Sequence, residues 1–371
     1  MISEDNAGSE DQMIRGSDNR KPRSLRGFLF AIGVFVLLIG CDRDASSSDD
    51  LMTLKGETQG TTFTIKYIDP LQRDLSGEVD SLLKVIDGSL SLWVDGSTVS
   101  RFNQADTFVS DDVHFRTMVS LSEELWRRTD GAFDPTVLPL VKAWGMGREG
   151  KSDLDPASID SLMRLIGMDK IAIDGRWREQ VQMPPRITYI KTDPGVQFDP
   201  NGIAQGYSVD LVASLLDRRG IEAYMVEIGG EVRARGMNDR GAPWTIQIDK
   251  PVVGAEHQQQ AIVPLQDRSM ATSGNYRKFI EVDGQRYGHT IDPRTGRPAM
   301  NSLLSASVIA DNCAIADALA TALLVLGPDE AKNWLRQNRE VEAYLISDDG
   351  AGGYATWSTP GWPVTEKQAE M

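Results

Sequence analysis

Residues 289–297 read His289-Thr290-Ile291-Asp292-Pro293-Arg294-Thr295-Gly296-Arg297, an imidazole and two guanidinium groups beside turn-forming Asp-Pro and Thr-Gly pairs. Nineteen residues later, Ala316-Asp317-Ala318-Leu319-Ala320-Thr321 lies in an Ala/Leu-rich run that reads as helix. A spacing of four puts Asp317 and Thr321 on one helical face. Two oxygens so placed could hold a hard cation such as Mg²⁺. A general base beside a divalent ion is what phosphoryl or nucleotidyl transfer needs.

Other stretches could join this chemistry. Asp199-Pro-Asn-Gly-Ile-Ala-Gln-Gly206 follows a strand and opens a helix. Gly202 and Gly206 would let a ligand approach the backbone, and the first helical turn would offer N–H groups to a phosphate. The bare Gly-x-x-x-Gly pattern is equally compatible with an ordinary loop, and Asp199 with simple N-capping. Gly131-Ala-Phe-Asp-Pro-Thr-Val137 places Asp134 and Thr136 at a loop-to-helix junction, where capping is the competing role. Glu227-Ile-Gly-Gly-Glu231 interrupts a strand with two glycines, the mark of a bulge or a close backbone approach. Ala271-Thr-Ser-Gly-Asn-Tyr-Arg277 gathers hydroxyls, an amide and a guanidinium in one turn. Of the three histidines, His114 and His257 read as solvated surface residues, which leaves His289 in the polar constellation. With no Cys pair and no second histidine near it, zinc is not expected.

The elements that position these residues follow from periodicity. Thr61–Tyr67 alternates and is β-branched, so it reads as a strand. Val79, Leu82, Leu83, Ile86 and Leu90 recur at helical spacing, and a second amphipathic helix covers roughly 112–129. A short helix runs from Pro135 to Trp144, and another from Asp155-Pro156 to about Ile166. Beyond 170 strands dominate: Lys170–Ile173, Arg186–Lys191, Ala223–Ile228, Trp244–Asp249, Ala261–Leu265, Lys278–Val282 and Leu304–Ala310. Helices near 202–218 and 312–326 interrupt them, and one more follows from Pro328. The order is neither a regular βαβ alternation nor a repeat, so an α+β fold is expected. No Pro/Ser-rich linker divides residues 53–371, which predicts one domain there.

Residues 27–40 form an uncharged apolar run preceded by Lys21, Arg23 and Arg26. A bilayer-spanning helix needs about 20 residues, so this shorter run suits a signal-peptide core. It ends Leu38-Ile39-Gly40-Cys41, which resembles the bacterial lipobox; residues 1–40 would be a signal peptide and Cys41 the lipidated first mature residue. Residues 41–52 would then be a flexible tether. Initiation at Met13 would give a more basic leader than Met1. The lipoprotein is expected outside the cytoplasm, facing the periplasm or cell exterior. Cys313, a buried structural thiol by its setting, would be the one left free. The net charge of the 371-residue chain is -15, which disfavours nucleic-acid binding.

The segments Gly60-Thr-Thr, Ser97-x-x-Ser-x-x-Asn103, Gly131–Val137, Asp199–Gly206, Glu227–Glu231, Thr272-Ser-Gly274, His289–Gly296 and Asp317-x-x-x-Thr321 together resemble the ApbE family, the FAD:protein FMN transferases. The resemblance runs from about Gly60 to Leu326. It implies an α+β domain related to the T-fold, with mixed or antiparallel sheets, packed helices, and FAD in a cleft that also holds Mg²⁺. Residue by residue, it implies Asp317 and Thr321 as metal ligands, with the backbone of Gly202 and Ala320 completing the shell. Ala132, Phe133, Asp134, Asp199 and the Ile291 region match flavin-nucleotide contacts, Trp93 an aromatic near the isoalloxazine, and His289 the catalytic histidine. Two positions depart from the family pattern: Gln59 stands where a Met is usual, and Gln205 where a Lys is usual. An amide at 205 can still bond a nucleotide but brings no positive charge.

The resemblance implies Mg²⁺-dependent transfer of FMN from FAD to a Thr or Ser hydroxyl of an exported redox-complex subunit, with release of AMP. Two other activities use the same residues. Water in place of the hydroxyl would make the protein an FAD pyrophosphatase, and binding without chemistry would make it a flavin-carrying lipoprotein.

Overall fold

Alternating β-branched residues and paired turn glycines set up an antiparallel scaffold on which two helices lie. The structure, a computed structural model, describes residues 50–146, 154–174, 186–251, 258–275, 279–282, 285–288 and 290–363. The expected leader, Cys41, Met13, His257 and His289 lie outside the described residues.

The chain runs β1 (Leu51–Thr58), β2 (Thr61–Ile68), α1 (Ser76–Leu90), α2 (Thr98–Gln104), β3 (Thr107–Ser110) and α3 (Val113–Arg128). A 3₁₀ turn at Pro135–Val137 leads into α4 (Leu138–Ala143), followed by α5 (Pro156–Met163), β4 (Ile171–Asp174), β5 (Ile187–Lys191) and α6 (Ala204–Arg218). Then come β6 (Tyr224–Ile228), β7 (Glu231–Arg235), β8 (Trp244–Asp249), β9 (Gln259–Leu265) and β10 (Ser269–Gly274). Two short hairpins follow, β11 (Phe279–Val282) with β12 (Gln285–Gly288) and β13 (Ile291–Asp292) with β14 (Arg297–Pro298). The chain continues through β15 (Leu303–Ala310), α7 (Cys313–Gln337), β16 (Glu342–Asp348) and β17 (Tyr354–Ser358).

Among the described residues the main sheet has eight strands, in the order β1-β2-β6-β7-β10-β15-β16-β17. Each neighbouring pair is antiparallel. Helices α6 and α7 pack on one face, with α1 and α3 behind them. The β8–β9 ribbon and Trp362 cover part of the other face, so Val308 of β15 enters the large core and its neighbour Ile309 a second, smaller one. This is the mixed α+β architecture expected.

Three differences from the sequence reading have physical causes. Leu51 and Met52, expected in the tether, are the first residues of β1 and pair with Ile68 and Tyr67. Strands β7 and β10, Glu-Val-Arg-Ala-Arg and Ser-Met-Ala-Thr-Ser-Gly, lack the apolar β-branched signal, yet they are central because neighbours complete their ladders. The helices expected before and after Gly327-Pro328 form one span with a break, at Gly327, where φ is 72°. No helix among the described residues is long and apolar enough to cross a membrane.

Candidate active site at the junction of two helices

Helix α7 begins with Asn312, whose side chain accepts the Ile315 N–H at 3.1 Å, a standard N-cap. One turn in, Asp317 is 6% exposed and accepts the backbone N–H of Gly206 at 3.1 Å. Burial pushes the Asp317 carboxyl up to about 7, with the Gly206 bond pulling the other way. Thr321 lies one turn further, its hydroxyl 3.2 Å from that of Ser273 on β10. Ala320 is fully buried between them, at an interior position where the carbonyl serves the helix ladder.

The Asp199–Gly206 segment is held from both sides. Asn103 clamps the residue before it, donating to the Phe198 carbonyl at 3.0 Å and accepting the Phe198 N–H at 2.7 Å. The Phe198 ring packs edge-on against Phe102 and Phe115, and the buried Lys191 ammonium donates to the carbonyls of Asn103, Pro194 and Val196. Asp199 donates its N–H to the Pro135 carbonyl at 2.7 Å and accepts that of Asn201 at 2.9 Å. It therefore closes the local turn, while the N-cap position of α6 belongs to Ile203, which has no capping side chain. Burial raises the Asp199 carboxyl to about 6, opposed by the Asn201 bond and by Lys142.

The two glycines of this segment do different jobs. A Cβ on Gly202 would sit 3.4 Å from Phe133 Cε2 and 3.6 Å from Thr321 Oγ1, ordinary contacts beside the expected cation site. A Cβ on Gly206 would meet backbone, with Cys313 C at 2.7 Å and Ala314 Cα at 2.9 Å. Gly206 thus admits the start of α7, and its N–H serves Asp317. The expectation that Gly206 admits a ligand is therefore corrected: it admits helix α7 and its N–H is taken by Asp317. Gln205, at the first turn of α6, lies against the β6–β7 hairpin, its Nε2 2.8 Å from where a Cβ on Gly229 would be.

That hairpin explains the Glu227–Glu231 motif. Ile228 pairs with Glu231 across Gly229 and Gly230, whose φ values of 67° and 110° suit a two-residue turn rather than a bulge. The Gly230 N–H donates to Glu227 Oε1 at 3.0 Å. Glu231 is 7% exposed, and its Oε2 is buried with no hydrogen-bond partner. Burial, then the charge of Asp317, push its carboxyl well above the usual carboxylate range.

Several of the expected ligand contacts also make bonds or packing contacts within the protein. Asp134 accepts the N–H and hydroxyl of Thr136 at 2.8 and 2.5 Å, and the Thr136 oxygen in turn accepts the Gly167 N–H at 2.7 Å. Burial raises the Asp134 carboxyl to about 6, opposed by the Thr136 and Trp126 hydrogen bonds. Ala132 and Phe133 are buried, Phe133 facing Gly202. In the 290–297 turn, Asp292 binds Arg294 through both carboxylate oxygens, and Arg294 also reaches Glu330. Arg294 is thus spent on the turn. Ile291 is buried, and Thr290 donates to Asn275 at 2.8 Å. Trp93 is 54% exposed on the loop after α1. His114, expected on the surface, is half-buried with its Nδ1 2.9 Å from the Tyr207 hydroxyl. Cys313 is buried, as expected of a structural thiol.

The structure therefore brings Asp317, Thr321, Gly202 and Phe133 together and adds Ser273 and Glu231, which sequence reasoning left off the site. Ser273 was visible only as one hydroxyl among several, and Glu231 only as the end of a glycine-marked motif. Among the described residues no three His, Cys, Asp or Glu side chains form a metal-binding group.

Comparison with known proteins bears on this arrangement. The ApbE family matches residues 59–345. The FAD:protein FMN transferase of Vibrio cholerae is 37% identical over 343 residues, covering 90% of this chain and 98% of the relative. That of Haemophilus influenzae is 33% identical over 341 residues, covering 89% and 95%. Among solved structures, the flavin transferase ApbE from Vibrio cholerae superposes with a TM-score of 0.72 at 36% identity, over 84% of this chain and 97% of that one. The apo flavinyl transferase ApbE of Pseudomonas stutzeri gives 0.73 at 34%, over 84% and 95%. The match thus spans the helix junction and the β6–β7 hairpin beside it, and the chain belongs to the ApbE family.

Proposed function

We propose that this protein transfers FMN from FAD to a Thr or Ser hydroxyl of an exported redox-complex subunit, using Mg²⁺ and releasing AMP. Flavin transfer from FAD is supported by the name that its relatives share over nearly their full length. The observation in this chain that carries the reading is the buried Asp317 carboxylate beside Thr321 and Gly202, where α7 meets the loop before α6.

These donors fit a hard divalent ion. They are oxygens, one is a buried carboxylate, and among the described residues no Lys or Arg is paired with it. Asp317 and Thr321 would hold Mg²⁺, with the Gly202 carbonyl and the second lone pair of the Ala320 carbonyl, whose first serves the helix ladder, to complete the shell. Bound there, the ion would neutralise the pyrophosphate and stabilise the departing phosphate. Asp317 keeps its orientation through the Gly206 N–H, and Phe133 walls the glycine side against water. The acceptor oxygen forms a bond to the FMN-side phosphorus as the bond to the AMP oxygen breaks. His289 takes the acceptor proton, a role suited to an imidazole near neutral pH. Gln205, lacking charge, leaves phosphate neutralisation to the ion.

The reading includes export and attachment to the membrane through lipid on Cys41, with the catalytic domain beyond a short tether facing the periplasm or cell exterior. The test is incubation with FAD, Mg²⁺ and candidate exported redox subunits, reading covalent flavin by in-gel fluorescence. A fluorescent acceptor band that disappears with EDTA is expected. Equal release of FMN and AMP with or without acceptor would instead assign hydrolysis, and FAD left intact throughout would assign binding alone.

A further inference from the structure

The interior holds a second carboxylate with no use in the reaction so far. Glu231 opens β7, and its Oε2 is buried without a hydrogen-bond partner. Among the described residues its own backbone N–H favours its charged form, while Asp317 and Glu227 add negative charge around it. Two contacts fix where it sits. The carbonyl of the next residue, Val232, lies 3.6 Å from Cys313 Sγ, one helical turn before Asp317. On the other side of the hairpin, Gly229 rests on Gln205, whose neighbour Gly206 donates its N–H to Asp317. The start of β7 and the turn before it therefore pack against the first turns of α7 and α6, the two elements that carry and orient Asp317.

Two buried carboxylates that feel each other's charge are strongly unfavourable unless something positive lies between them. Among the described residues no Lys or Arg is paired with either. A shared proton or a cation would serve, and the hydroxyl of Thr321 one turn from Asp317, with that of Ser273 bonded to it, favours the cation: they are neutral oxygens that add ligands to a hard ion.

We propose that Glu231 is the second carboxylate of the cation site, facing the same ion as Asp317 directly or through one water. This rests on the metal-dependent reading above and deepens it: the site carries two negative charges, which selects a divalent over a monovalent cation. Glu231 is a positioning and charge-setting residue for the ion.

The experiment is a Mn²⁺ titration of the full-length protein in detergent with saturating FAD, reading free Mn²⁺ by its EPR signal. Glu231→Gln should weaken Mn²⁺ binding at least tenfold and shrink the metal-induced rise in Tm, while FAD affinity measured in EDTA stays within twofold of wild type. Glu231→Asp, which keeps the charge on a shorter stem, should fall between the two and guards against a folding defect in the amide variant. Mn²⁺ affinity of Glu231→Gln within twofold of wild type, while Asp317→Asn loses binding, overturns the Glu231 assignment and leaves the cation site standing. Wild-type affinity in Asp317→Asn overturns both.

Discussion

Gly206→Ala perturbs the contact on which the whole site is built. The new methyl would lie 2.7 Å from Cys313 C and 2.9 Å from Ala314 Cα, with the Cys313 carbonyl oxygen closer still. Real Cβ contacts of that kind sit beyond 3.0 Å. Every atom it meets is backbone in the first turn of α7, so relief requires one helix to move against the other. Overpacking of this sort costs about 1–3 kcal/mol and occasionally more. Alanine's better helix propensity returns at most about 1 kcal/mol. The net loss should be about 1–2 kcal/mol, or roughly 2–4 °C in Tm at about 2 °C per kcal/mol for a domain of this size. Because the Gly206 N–H orients Asp317, the same shift should weaken Mg²⁺-dependent turnover more than it weakens FAD binding in EDTA. Gly88→Ala is the control: Gly88 is exposed in α1 with nothing within 4 Å of a Cβ, so it should raise stability slightly. Differential scanning calorimetry and a flavin-transfer assay read both effects. A Gly206→Ala protein that melts at or above wild type would falsify the close α6–α7 contact.

Asp317→Ala should abolish most turnover with only partial rescue by excess Mg²⁺, while Thr321→Ala should lose less and recover more, as read by Mg²⁺ titration of transfer rates. His289→Asn should slow transfer by roughly 10²–10⁴-fold with FAD affinity little changed; simultaneous loss of affinity and Tm would instead make it a brace for the Asp292 turn. Asp134 has a folded-state value of about 6 against 3.8. Its share of stability is therefore full at acid pH and is lost as pH rises through about 6. Asp134→Asn keeps an acceptor for Thr136 and should shrink the stability loss between pH 4 and pH 8 by about 2 kcal/mol, measured by urea midpoints in EDTA; an unchanged slope would show that Asp134 stays charged at little cost. Cys41→Ser should leave an unlipidated precursor, and a soluble chain beginning at Asp50, just ahead of β1, should keep its activity; an inactive truncation would tie the lipid to catalysis.

Local pattern carried much of this architecture. The Ala/Leu-rich run from 312 and the four-residue spacing of Asp317 and Thr321 predicted the helix and its oxygen face, because both depend only on neighbours within one turn. Apolar alternation found β2, β6, β8 and β15 for the same reason. Strands β7 and β10 escaped, since their short, polar and small residues are ordered by partners far along the chain. Resemblance located the motifs in order, but not what each one touches.

By itself the sequence determined which residues could do chemistry and which helix would carry them. The tertiary structure decided how those residues are used. Asp134 and Arg294 carry suitable charge, yet their hydrogen bonds go to Thr136 and Asp292, so they hold turns in shape. Gly202 and Gly206 look equivalent in one loop, yet one faces Thr321 and the other admits α7. Glu231 and Asp317 are far apart in sequence, and only the packing of α7 on β7 and β10 sets their charges against each other. Periodicity is read within a few residues of chain, whereas the field at a buried carboxylate is summed over whatever the fold brings beside it.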